Sequence, residues 1–205
     1  MKYRHILSEA QSAEQFQRVS KTLLEHDAGQ GVNYWARSPY PTMLLWAGRV
    51  YDFLSVLENI LGYLPARRHS YLVGYRSGWD GAELTSGPQD GTPPEAARFR
   101  LLATGSEILA GAGWGRCSID YDAEATTVRW EFPQGTAVGL AAKMEGPRKE
   151  PACAFMAGFI AGWTNRALGV TTEFLEVECV ARGEPRCVFE SSTSLRFRSG
   201  ARPKS

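Results

Sequence analysis

The sequence predicts an α+β fold. Helices pack on a small antiparallel sheet in the order helix–hairpin–helix–hairpin, behind a helical N-terminal extension. Three observations predict it. Apolar residues recur at helical spacing through most of 10–111, the period drops to two over 116–132, and helical spacing returns over 150–168 before a last alternating pair.

Residues 10–27 are polar and helix-forming, with Phe16, Val19, Leu23 and Leu24 at helical spacing. Residues 42–63 carry Met43, Leu44, Phe53, Leu54, Leu57, Ile60 and Leu61 and read as a core helix, ended by Gly62 and Pro65. A third helix is expected over 66–84. Gly74 and Gly78 there each cost roughly 1 kcal/mol relative to alanine, so close helix packing is a better reason for them than flexibility. Ser86–Pro94 reads as a linker, and 94–111 as the next helix. Arg116–Asp120 and Thr126–Phe132 alternate as a hairpin. Residues 150–168 follow as a helix capped by Gly169, and strands 171–180 and 186–192 close the domain.

The 205 residues are 43% hydrophobic and 11% aromatic, enough for a real core. We expect an N-terminal helical region over 1–90, a domain over 91–192 and a disordered basic tail over 193–205. A net charge of +1 gives no electrostatic case for nucleic acid as a direct partner. No apolar run reaches bilayer length and no leader opens the chain. Reduced cysteines in a cytoplasmic protein are therefore expected.

Several chemistries lack their residues. There is no Gly-Lys-Ser/Thr, and Gly111-Ala112-Gly113-Trp114-Gly115 precedes a strand and so reads as a turn. His5, His26 and His69 are scattered, without ligand spacing. No catalytic residue is assigned, and a non-enzymatic role is expected. Three cysteines lie close in sequence: Cys153, Cys179 and Cys187. Together with Glu176 they would complete a closed tetrahedral shell for zinc, or they are small buried hydrophobes. Arg182-Gly183-Glu184-Pro185 can fold the last two cysteines together. Strand alternation, however, sets Glu176 and Cys179 on opposite faces unless a bulge intervenes. Aromatic residues from different elements, Trp114, Trp130, Phe132, Phe155, Phe159 and Phe174, make either a plain core or the wall of a small-molecule site.

Gly158-Phe159-Ile160-Ala161-Gly162-Trp163, Leu168-Gly169 and the run Glu176–Cys187 resemble the 4-vinyl reductase domain, a small-molecule-binding domain named after a bacteriochlorophyll biosynthesis protein. It also forms the sensor of the XylR/DmpR class of aromatic-responsive sigma-54 activators. More loosely, Met43–Ala82 is similar to the N-terminal part of that sensor region. The resemblance implies one structural zinc per chain on Cys153, Glu176, Cys179 and Cys187. It also implies a hydrophobic, aromatic ligand and a homodimer that regulates an output protein or ATPase domain. Phenol sensors place a histidine where this chain has Leu109, which implies a less polar ligand, while Trp130 matches their pocket tryptophan. The activators' ATPase and helix-turn-helix do not follow in these residues, so an isolated sensor or a stand-alone relative is expected. The alternatives are an accessory factor or reductase in tetrapyrrole biosynthesis, and an interaction module resembling vesicle-tethering subunits.

Overall fold

The computed structural model describes residues 1–18, 21, 24–27, 32–35, 41–42, 47–86, 94–122, 124–125, 127–192 and 196–197, and among them six helices surround a main sheet of five antiparallel strands. The strands β1 (Lys2–Ile6), β5 (Ser118–Asp122), β6 (Thr127–Phe132), β8 (Phe174–Glu178) and β9 (Cys187–Ser191) form one sheet in the order β1-β5-β6-β9-β8. Two helices, α4 (Glu95–Gly111) and α6 (Ala154–Leu168), cover its inner face, and α3 (Tyr63–Ser86) lies outside α6. The remaining elements are α1 (Glu9–Arg18), α2 (Ala47–Leu61), α5 (Ala137–Met144) and the short pair β7 (Val170–Thr171) with β10 (Arg196–Phe197). Strands β2 (Leu24–Asp27), β3 (Val32–Trp35) and β4 (Pro41–Thr42) make a separate three-stranded sheet. The expected helix–hairpin–helix–hairpin order holds, and β1 joins the first hairpin as an edge strand.

Two sheet faces explain the strand sequences. Ile119, Tyr121, Val128, Trp130, Phe132, Phe174 and Phe189 point inward and are buried. The outer face carries columns of opposite charge. Lys2 faces Asp122 at 3.6 Å and Arg4 faces Asp120 at 3.3 Å; Arg129 meets Glu190, while Arg186 holds Glu178 at 2.8 Å and Glu131 at 3.0 Å. Exposed pairs of this kind are each worth roughly 0–1 kcal/mol, but matched columns resist a register slip.

Helix α3 meets α6 through reciprocal glycines. A Cβ on Gly74 or Gly78 would run into the Phe155 or Phe159 carbonyl, and one on Gly158 or Gly162 into that of Tyr71 or Tyr75. The expected close-packing role of Gly74 and Gly78 is what the structure shows. This seam also joins the two regions expected to divide near residue 90.

Three expectations need correction. The helix expected over 10–27 stops at Arg18, because Leu24–Asp27 is strand β2, paired with Val32–Trp35. Val19 and Leu23 lie outside the described residues. The expected core helix is α2, which has no buried residue and sits on the surface. Met43 and Leu44 fall outside the described residues. Gly62 ends α2 with φ +81°, whereas Pro65 belongs to the first turn of α3, where its missing N–H costs nothing. The hairpin turn lies two residues later than expected, since β5 runs to Asp122. Residues 87–93 of the expected linker, and 193–195 and 198–205 of the expected tail, are outside the described residues.

Candidate metal centre and aromatic wall

Cys153 stands just before the first turn of α6, at its N-cap, with Glu176 on β8 opposite it. Strand alternation alone would separate Glu176 from Cys179. The register of β8 on β9 shifts between Glu176 and Glu178, leaving Val177 as the extra residue of a bulge. Parity is thereby reset. Glu176 shares the inner face with Phe174, Glu178 turns outward to Arg186, and Cys179 returns inward past the strand end. A 3-10 turn, Val180–Arg182, and Gly183 at φ +96° then fold the chain back to Cys187 at the start of β9.

The ligand atoms of Cys153, Glu176, Cys179 and Cys187 all lie within 4.8 Å of one another, and all four residues are buried. Their second contacts hold them in place. Cys153 N donates to Glu176 Oε2 at 2.8 Å, Val180 N to Cys187 Sγ at 3.5 Å, and Cys179 N to Glu184 Oε2 at 3.0 Å. Glu176 Oε1 is buried and meets no hydrogen-bond partner among the described residues. Burial raises Glu176 well above the usual carboxylate range, and the neighbouring Cys179 adds to this. Burial likewise raises Cys153, while Cys187, which accepts hydrogen bonds from the Cys153 and Cys179 thiols, is held well below the ordinary thiol range. Four acidic groups in a dry site, one oxygen left unpaired, form a donor set that suits a cation. The structure thus brings together all four residues singled out from sequence as possible ligands.

Helix α5 closes this site, and nothing in the sequence reading anticipated it. Thr136 caps the helix, its Oγ1 accepting from Gly139 N at 3.0 Å while lying 3.1 Å from Cys153 Sγ. A Cβ on Gly139 would sit 3.1 Å from both Cys153 Sγ and Cys187 Sγ, so glycine is what lets the helix end approach the sulfurs. The positive end of α5 therefore abuts the cluster, on the side where Cys153 and Cys187 present their sulfurs. Ser, Thr or Asp before a short apolar run is the signal that marks such a helix, and Thr136 before Ala137-Val138 carries it.

The expected aromatic wall is one packed layer. Leu109, Trp130, Phe132 and Phe174 are buried in the core between helices and sheet. Trp114, Phe155 and Phe159 are half-buried at its margin. Trp114 stacks on Phe155 with centroids 5.3 Å apart, Phe159 stacks on Trp163 at 5.8 Å, and Phe132 meets Phe189 edge-on at 5.7 Å. Two buried tryptophans differ in their polar atoms. Trp163 Nε1 donates to Leu101 O at 2.8 Å, with Gly105 leaving room for the ring, whereas Trp130 Nε1 meets no acceptor among the described residues. An open groove of 490 Å³ lies elsewhere, over the charged residues Lys2, Arg4, Asp120, Asp122, Arg129 and Glu190. Among the described residues no helix is long and apolar enough to cross a membrane.

Comparison with known proteins gives the following. The phenol-responsive sensory domain of the transcription activator PoxR, solved with phenol, superposes with a TM-score of 0.70 over 90% of each chain at 23% identity. This likeness shows the fold. A vinyl-4-reductase family protein from Methanocaldococcus jannaschii aligns at TM-score 0.45 and 17% identity, over 77% of this chain and 84% of that one. A trafficking protein particle complex subunit 3 from Naegleria fowleri aligns at TM-score 0.48 and 14% identity, over 73% and 97% respectively. No curated protein sequence matches the chain. The V4R domain family matches residues 141–193, the stretch that supplies Cys153, Glu176, Cys179 and Cys187. That stretch runs from the middle of α5 through β9, and over it the chain is similar to the V4R domain family.

Proposed function

We propose that this chain is a zinc-stabilised sensor domain that binds a hydrophobic, aromatic small molecule and passes its occupancy to an output protein or domain. The observation that carries the reading is the Trp130 indole N–H, fully buried in an aromatic wall and without an acceptor among the described residues. A buried donor left unpaired costs about 1–3 kcal/mol, and a ligand bearing one acceptor atom removes that cost. The likeness of the fold to the phenol-responsive domain of PoxR supports the same reading. Leu109 is buried and offers no hydrogen bond, so the favoured ligand is an aromatic ring with one weak acceptor and otherwise apolar edges.

Zinc suits the donor set. Zn–S bonds of about 2.3 Å in a tetrahedron set sulfurs about 3.8 Å apart, and Cys153 Sγ and Cys179 Sγ are 3.9 Å apart. Cys153, Cys179, Cys187 and Glu176 would fill all four positions, so the ion's role is to tie α6 to the last hairpin rather than to activate water. Four buried, unpaired cysteines agree with a reducing, cytoplasmic setting. A homodimer is part of the proposal.

Native mass spectrometry with a panel of substituted benzenes tests it. Saturable uptake of one molecule is expected, weakened at least about tenfold by Trp130→Phe, with the metal retained in both proteins. Failure of every simple aromatic to bind, or simultaneous loss of ligand and metal in the variant, would refute separate sensing and structural roles.

A further inference from the structure

Helix α2 is held to the rest of the molecule largely by polar groups. None of its residues is buried, and Phe53 and Ile60 on its apolar side are 63% and 72% exposed. Its inner side carries Tyr51 and Glu58, and both meet one side chain. Arg148 Nη1 donates to Tyr51 Oη at 2.9 Å, and Arg148 Nη2 donates to the two Glu58 oxygens at 2.7 and 2.9 Å. The guanidinium also lies 5.5 Å from the centroid of the Tyr51 ring. The Arg148 and Glu58 side chains are 17% and 24% exposed, so their attraction is less screened by water than that of an open surface pair.

Arg148 belongs to the segment 145–153, which joins α5 to α6 and is bonded to the candidate metal centre at two points. Its own backbone N donates to Ala181 O at 3.0 Å, and Ala181 is buried in the 3-10 turn between Cys179 and Cys187. The segment ends at Cys153, whose N donates to Glu176 Oε2 at 2.8 Å. Just before that end, Pro151 O accepts from Tyr63 Oη at 3.4 Å, at the start of α3.

We propose that Arg148 couples the metal clasp to helix α2. A lone 3-10 turn makes too few hydrogen bonds to hold its own shape, so the Ala181 carbonyl is fixed by the drawing together of Cys179 and Cys187 on either side of it. A seated turn holds the Arg148 backbone, and the Arg148 side chain then holds α2. The proposal rests on the metal reading given above and adds that the state of the clasp is read on a helix that supplies no ligand. Coupling of this kind is reciprocal: what the clasp lends to α2, α2 returns to the clasp. Arg148 is thus a positioning residue for the clasp, although its side chain bonds to α2.

Hydrogen exchange read by mass spectrometry tests this on zinc-loaded protein and on the same protein stripped with a chelator. Amides of Ala47–Leu61 should exchange at least about tenfold faster without zinc, while those of α4 keep their protection. Arg148→Ala should give the same fast exchange in α2 with zinc still bound and α4 still protected. Reciprocity supplies the second readout. In competition with a chromogenic chelator, zinc affinity should fall about tenfold in both Arg148→Ala and Glu58→Gln. Arg49→Ala, which cuts the exposed Arg49–Asp52 pair on the same helix, should leave it unchanged. Equal α2 exchange with and without zinc overturns the proposal, and so does an unchanged zinc affinity in Arg148→Ala and Glu58→Gln. Should the stripped protein unfold throughout, α4 included, the affinities alone decide. A protein that takes up no zinc removes the metal reading, and the proposal with it.

Discussion

Thr136 makes one hydroxyl serve two partners. Its oxygen accepts from Gly139 N and lies 3.1 Å from Cys153 Sγ, to which the hydroxyl can donate once the sulfur is a thiolate. A hydroxyl that donates to a thiolate stabilises the ionised, ion-binding form of the sulfur and fixes its direction. Thr136→Val keeps the shape but loses both bonds. Metal affinity, read by competition with a chromogenic chelator, should fall about 10- to 100-fold, and an unchanged affinity would reduce Thr136 to a helix cap. Sequence spacing was enough to pick out Cys153, Glu176, Cys179 and Cys187 as candidates. It could not show how Glu176 and Cys179 share a side, because a bulge leaves no mark in an alternating string such as Phe174–Glu178. Nor could spacing separate a core tryptophan from a ligand contact: Trp130 and Trp163 are equally buried and differ only in whether an acceptor lies near the ring nitrogen.

Among the elements, the α3–α6 pair is fixed by backbone contact. Where a new Cβ would meet a carbonyl, no side chain can swing away and the helices must separate. Gly158→Ala should therefore destabilise the protein by at least about 2 kcal/mol despite alanine's better helix propensity. Gly48→Ala, on α2 with nothing within 4 Å of the new methyl, should stabilise by up to about 1 kcal/mol. Urea unfolding of the two variants checks the contrast; equal and opposite-to-expected shifts would mean that the helices have slack. The long helices α3, α4 and α6 were legible because their apolar spacing is sustained. Strand β1 and helix α5 were not, being five and eight residues long, with cross-strand partners or capping contacts far away in sequence. Helix α2 misled for a different reason. Apolar content marks a face that wants covering and does not say whether the same chain supplies the cover.

At the scale of the whole molecule, Tyr71 couples stability to alkaline pH. Its hydroxyl accepts from Phe174 N at 3.1 Å, tying α3 to the start of β8. Burial is the main cause that pushes its pKa from 10 up to about 12. A phenol held protonated in the folded state contributes stability that is whole below pH 10. That contribution is lost as the pH rises through 12 and amounts to about 2–3 kcal/mol at 1.36 kcal/mol per unit. The stability gap between the native protein and Tyr71→Phe should consequently narrow between pH 9.5 and 11.5 in chemical denaturation. A gap that stays constant would show that the phenol keeps its ordinary pKa.

The reciprocal glycine seam also sets an order on biosynthesis. Gly74 and Gly78 leave the ribosome long before Gly158 and Gly162, and the four candidate metal ligands come later still, ending at Cys187. Until then the chain carries a grooved helix with nothing to fill the groove. The seam cannot close before Gly162 has emerged, nor the metal clasp before Cys187. A fold arranged this way waits on its C-terminal elements: a chain that stops before Gly158 leaves the seam, and one that stops before Cys187 the clasp, open to proteases and chaperones.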